Sequence, residues 1–304
     1  MRVISLLPGA TDSIVALGGV GFLVGISHSC TAVDAGHGPL AALPRLTVPR
    51  VDAASASAAI DAAVREFVAA GRPLFALDHA AIERLQPDVI ITQALCDVCA
   101  VSESEVRELA ARIPSRPEVL SLAGSTIDGI LTDVALIADA LELTAEADEL
   151  IPGLRRRMHT VHDTLKAARA PRPRVAVIEW TEPLFTAGHW VPEQVRRAGG
   201  IGVLGEPGAH SRTLTPDQLR AADPEIVIVA PCGFALDRAM TEAERLVAIA
   251  PWLEKRSVWA MDGDTLTSRP GPGMVAGIET MAQIVAPSLF APVSASRARR
   301  LIPR

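Results

Sequence analysis

Twice along the chain a helical stretch breaks at a proline, an acidic residue follows, and an apolar, β-branched run begins. The first instance is Leu85-Gln86-Pro87-Asp88-Val89-Ile90-Ile91, and the second is Ala222-Asp223-Pro224-Glu225-Ile226-Val227-Ile228. A helix feeding a buried apolar strand is the unit of a parallel sheet covered by helices. Meeting it once in each half of the chain points to two similar α/β lobes. The openings of the halves also echo one another, Arg2-Val3-Ile4-Ser5-Leu6-Leu7-Pro8 against Arg174-Val175-Ala176-Val177-Ile178-Glu179-Trp180.

The remaining pattern agrees. In the first half, strands are expected at Val3–Leu7, Leu23–Ser27, Val89–Thr92 and Val119–Leu122. Helices are expected from a cap at Thr11 or Asp12 to Leu17, then at Ile60–Ala70, Ala80–Leu85, Glu103–Arg112 and Thr126–Leu141. Residues 31–55 carry Gly, Pro and Ala without period and read as a surface excursion. Pro152 suits the first turn of a helix. From there to Ala170 the chain has about 18 residues without a breaker, roughly 27 Å of helix. In the second half, strands are expected at Val175–Glu179, Val203–Leu204, Ile226–Ala230 and Val258–Met261. Helices are expected at Val191–Ala198, Pro216–Ala221, Glu242–Ile249 and Met274–Val285. The fold class is therefore α/β, with two Rossmann-like lobes of parallel sheet: residues 1–143, a linking helix 144–170, and residues 171–304.

Composition narrows the function. Apolar residues make up 49% of the 304, charged residues 21%, and the net charge is -6. That is a globular composition without the basic surplus of a nucleic-acid binder. Tyrosine is absent. No run approaches the roughly 18 apolar residues of a membrane span. The opening MRVISLLPGATD lacks the long apolar h-region of a secretory signal, so the chain as written is expected to be cytoplasmic, or periplasmic or at the cell surface if its start lies elsewhere.

In open parallel sheets ligands bind beyond the carboxyl ends of the strands, and the unusual side chains of this chain follow strand ends. They are His28 and Cys30, then Gln93, Cys96 and Cys99, then Trp180, His189 and Trp190, then Cys232 and Phe234, and last Arg269 in SRPGPG. Cys96-x-x-Cys99 can chelate a soft metal, with Cys30, Cys232 or His28 completing the set, or can act as a redox pair. Thiols are also among the most deeply buried groups, which makes packing the plain alternative. Trp180, Trp190 and Phe234 suit a flat, partly apolar ligand, or a local hydrophobic cluster. Arg269, held in a stiff loop, suits a carboxylate, phosphate or amide oxygen, or an ion pair within its lobe. His159 and His162 lie on the charged helix and read as solvated. No P-loop, GxSxG or HExxH motif is present, and Gly18-Gly19-Val20-Gly21 follows a helix rather than a strand, so it is no dinucleotide fingerprint. The chain reads as a non-enzyme.

LLPGATDSIVALG with LVGISHSC, LQPDVIITQALCDVCAVS, EWTEPLFTAGHWVPEQVRRAGG, PCGF and RPGPGMVAGIE together resemble the cobalamin-binding, BtuF-like branch of the Fe/B12 periplasmic-binding superfamily, the helical-backbone metal receptors. The resemblance runs from about residue 2 to 287. It implies two lobes joined by one long helix, a cleft holding a corrinoid or other metal chelate, and an ABC permease as partner. On this reading Trp180 and Trp190 pack on the macrocycle, Arg269 meets its rim, and His28 or a cysteine approaches the metal. The competing expectation is a cytoplasmic metal or iron–sulfur protein built on Cys30, Cys96, Cys99 and Cys232. A third is an enzyme acting on a corrinoid with a thiol, for which no paired base and nucleophile is present.

Overall fold

The computed structural model describes residues 1–30, 39–94 and 101–301, and Cys96 and Cys99 lie outside them. The chain folds into two compact units. Unit 1 holds Met1–Gly124, Asp128–Pro152 and Pro270–Pro272. Unit 2 holds Ser125–Ile127, Gly153–Arg269 and Gly273–Arg304.

In unit 1 the strands are β1 (Val3–Ser5), β2 (Leu23–Ile26), β3 (Thr47–Pro49), β4 (Phe75–Leu77), β5 (Val89–Gln93) and β6 (Glu118–Leu122). The helices are α1 (Pro8–Ala16), α2 (Ser57–Ala69), α3 (His79–Leu85), α4 (Glu103–Ala110) and α5 (Ile127–Ala140). A parallel sheet runs in the order β2-β1-β5-β6, while β3 and β4 pair antiparallel. Strand alternation sorts the core into two layers. Val3, Val89 and Ile91 pack with Ile14, Leu17, Val134 and Ile137. Ile4 and Ile90 pack with Leu46, Ile82, Val106 and Leu109.

α6 (Thr144–Ala167) follows. Pro152 lies inside this helix, not in its first turn. The stretch TAEADELI before it is rich in helix formers, and the one backbone donor lost at proline is outweighed by continuation on both sides. One of the boundaries between the units falls within this helix, between Pro152 and Gly153.

Unit 2 adds β7 (Arg174–Thr181), β8 (Leu184–Thr186), α7 (Val191–Arg197), β9 (Ile201–Gly202), α8 (Pro216–Ala221), β10 (Ile226–Val229), α9 (Leu236–Ile249), β11 (Ser257–Met261), α10 (Gly263–Leu266), α11 (Met274–Val285) and β12 (Ala298–Arg300). β7, β10 and β11 are parallel, β9 joins β7 in parallel, and β8 and β12 close the edges antiparallel. Ala176, Ile178, Val227, Val229 and Ala260 pack against Ala239, Ala243 and Leu246 of α9. The α/β class with parallel sheets is as expected. α1 begins at Pro8 rather than Thr11, because Leu7 is extended and proline is pre-set for a first turn. α9 starts at Leu236, before the expected Glu242. β9 at Ile201–Gly202 replaces the expected Val203–Leu204.

Candidate functional site

In unit 1, β2 ends at Ile26 and delivers His28 and Cys30 to the carboxyl edge of the sheet. The His28 ring stacks on Phe75 with centroids 5.4 Å apart. Its Nδ1 lies 2.7 Å from the Thr47 hydroxyl, which also accepts the His28 backbone N–H at 2.9 Å. The hydroxyl hydrogen has no other acceptor among the described residues, so it is donated to Nδ1, and the ring proton sits on Nε2. Burial, and then the Arg45 charge, hold the His28 pKa below the ordinary histidine value. His28 is thus a neutral imidazole with an Nε2–H donor. That suits an acceptor atom on a ligand and disfavours Nε2 as a metal ligand.

Cys30 requires a correction. It is 0% exposed. Its sulfur lies within hydrogen-bond distance of the Thr11 hydroxyl at 2.9 Å and the Ser27 hydroxyl at 3.0 Å. Burial pushes its thiol pKa up, away from the thiolate a metal needs. This is a core thiol. Among the described residues no group of three or more His, Cys, Asp or Glu side chains is arranged to hold a metal ion. Gln93 ends β5 and is half-buried.

In unit 2, the carboxyl ends of β7 and β10 bring an aromatic pair together. Trp180 is partly exposed and Phe234 is buried, with ring centroids 5.0 Å apart at 57°. The Arg238 guanidinium stands 3.5 Å from the Phe234 ring centroid, within cation–π range. The Trp180 indole N–H donates to the Glu182 carbonyl at 3.1 Å, which fixes the ring. Cys232 is exposed on the same β10–α9 loop, with its backbone N–H on the Glu179 carbonyl at 3.1 Å. Sequence reasoning missed Arg238. Its signal was the spacing of four from Phe234 across the start of α9.

Two further expected site residues are buried in this unit, which favours the packing and ion-pair alternatives. Trp190 is 4% exposed and precedes the first turn of α7, so it is a packing residue without an open face. Arg269 is 3% exposed and makes a two-pronged contact with Asp264, Nε to Oδ1 at 3.2 Å and a terminal nitrogen to Oδ2 at 2.7 Å. It anchors its own loop to α10. The neighbouring Pro270–Pro272 segment packs on α1 in unit 1, where a Cβ at Gly9 would lie 2.8 Å from the Pro270 carbonyl carbon. Pro270 therefore seats on the start of α1 within unit 1.

His189 is half-buried with φ +52° and touches His210 edge-to-face at 5.2 Å. Its Nδ1 is buried with no hydrogen-bond partner among the described residues. Burial, and then the His210 charge, lower its pKa.

A Periplasmic binding protein family model matches residues 3–250. No curated protein sequence matches the chain. Among solved structures, it is similar to a periplasmic heme-binding protein from Pseudomonas aeruginosa, with 20% identity and a TM-score of 0.72 over 98% of this chain and 97% of that one. It is similar to the periplasmic vitamin B12-binding protein BtuF of Vibrio cholerae, with 18% identity and a TM-score of 0.62 over 93% and 96%. It is also similar to an ABC-type Fe3+-hydroxamate transport system protein from Saccharomonospora viridis, with 17% identity and a TM-score of 0.65 over 94% and 93%. These likenesses show the fold, and they spread over several ligands rather than singling out the B12 branch. They support neither a cytoplasmic setting nor an iron–sulfur cluster. Among the described residues no helix is long and apolar enough to cross a membrane. The family match is to solute binders, not enzymes, and spans most of the sequence: the chain belongs to the periplasmic binding protein family.

Proposed function

We propose that the protein binds a flat metal chelate of the tetrapyrrole kind, a corrinoid before a heme, and presents it to an ABC permease from the periplasm or the cell surface. The observation that carries this is the Trp180–Phe234–Arg238 cluster at the carboxyl edge of the unit 2 sheet. A partly exposed indole backed by a second ring offers an apolar face to a macrocycle. A guanidinium beside it answers an amide or carboxylate on the macrocycle's edge. The family's periplasmic description and the printed ligands of the B12- and heme-binding neighbours support the same class.

The test is separate titration of the full chain with cobalamin, cobinamide and hemin, followed by visible absorption and tryptophan fluorescence. The expected result is saturation at one equivalent by a corrinoid, with affinity weakened about tenfold or more in Trp180→Ala. Unchanged spectra with all three chelates would overturn the proposal. Saturation by hemin alone would overturn the corrinoid preference.

A further inference from the structure

We infer that His189 and His210 form a two-histidine site for a borderline divalent cation such as Zn2+, Ni2+ or Co2+, separate from the macrocycle surface. The ring centroids are 5.2 Å apart and the planes are at 83°. A metal about 2.1 Å from one nitrogen of each ring would lie about 3.2 Å from each centroid, and a tetrahedral angle would then separate the centroids by about 5.2 Å. The observed spacing equals the one a shared cation would impose on two rings whose nitrogens converge on it.

The backbone holds the pair in place. The His189 N–H donates to the Ala209 carbonyl at 2.7 Å, and the His189 carbonyl accepts the Gly208 N–H at 2.8 Å. Gly188 lets the two loops close, since a Cβ there would stand 2.7 Å from the Ala209 carbonyl oxygen. His189 adopts a left-handed conformation, φ +52°, which non-glycine residues keep only when their surroundings impose it. With Nδ1 buried and without a partner among the described residues, Nε2 is the nitrogen available to a ligand. His210 is exposed and can turn its nitrogen toward the same point. Two imidazoles leave the remaining coordination positions to water or a small anion, and imidazole favours this group of metals over Mg2+ or Ca2+.

The experiment uses the full chain without a histidine tag, its thiols alkylated to silence cysteine binding. Titration with Ni2+ by calorimetry and with Co2+ by visible absorption should give one saturable equivalent. His210→Ala, at an exposed position, should keep the metal-free melting temperature and weaken binding at least tenfold. Metal should raise the melting temperature of the parent chain but not of the variant. Superimposable isotherms for parent and variant, or no saturable binding by the parent, would overturn the site. Neither outcome bears on chelate binding at Trp180.

Discussion

The Thr47 hydroxyl sets the tautomer of His28, receiving that residue's backbone N–H at 2.9 Å and lying 2.7 Å from its Nδ1. Thr47 sits on β3, in the stretch that reads from sequence as an irregular excursion, and is 2% exposed. Nitrogen-15 spectra of the imidazole should therefore show a neutral ring protonated at Nε2 at pH 7. Thr47→Val leaves the His28 N–H without its acceptor and should cost about 1–3 kcal/mol. A protonated Nδ1 in the parent protein would refute the assignment.

The same burial has a pH consequence. The folded-state pKa values of His28 and His189 lie below the ordinary histidine value. Between that ordinary value and the lower folded one, the unfolded chain binds protons that the folded chain does not. Stability is then fully present above the ordinary value and falls as pH drops through this window. Urea unfolding across this range should show the decline shrinking in a His28→Asn, His189→Asn double variant. An equal decline in that variant would place its origin elsewhere.

Cys30 and Cys232 should separate cleanly in reactivity. Cys30 is buried with two hydroxyl partners and a raised pKa, whereas Cys232 is exposed. Under native conditions iodoacetamide should label Cys232 quickly and leave Cys30 untouched until the chain is unfolded, as read by peptide mass mapping. Cys30→Ala loses two buried hydrogen bonds and should destabilise by about 1–2 kcal/mol. Native labelling of Cys30 at the rate of Cys232 would contradict its place in the core.

Gly9 is where α1 meets Pro270, and the contact leaves no room for a methyl group. Gly9→Ala should destabilise the protein by about 2 kcal/mol, because the clash is with backbone rather than a flexible side chain. Gly21→Ala is the control: a Cβ there meets nothing within 4 Å. Equal melting temperatures for the two variants would mean that the RPGPG segment does not seat on α1.

Buried strands were legible because their apolar runs are continuous. Val89–Ile91 and Ile226–Val229 announce themselves without long-range information, and both fall within observed strands. Edge strands were not legible. Leu184–Thr186 and Ala298–Arg300 are three residues each, and pairing rather than composition makes them strands. Trp180, in the last residues of β7, and Phe234, after β10, do meet. Loop position alone, however, could not tell an outward Trp180 from an inward Trp190, nor a Cys232 from a Cys30, because burial is decided by tertiary packing. Arg238 and His210 went unread because each gains its meaning from a partner brought near by the fold.

Arg269 makes the final case. A guanidinium in a loop of prolines and glycines invites a ligand-binding reading, yet its side chain is 3% exposed and its fork is matched to Asp264, whose carboxylate is 29% exposed. Removing the cation strands a partly buried carboxylate beside Asp262, a second acid whose own pKa burial raises. Arg269→Met should therefore destabilise by about 3 kcal/mol or more. Arg269→Lys keeps the charge but not the fork, and should recover only part of that loss. Urea denaturation checks both. If Arg269→Met kept the parent stability while losing affinity for a chelate, the ion pair would be incidental and the guanidinium a ligand contact.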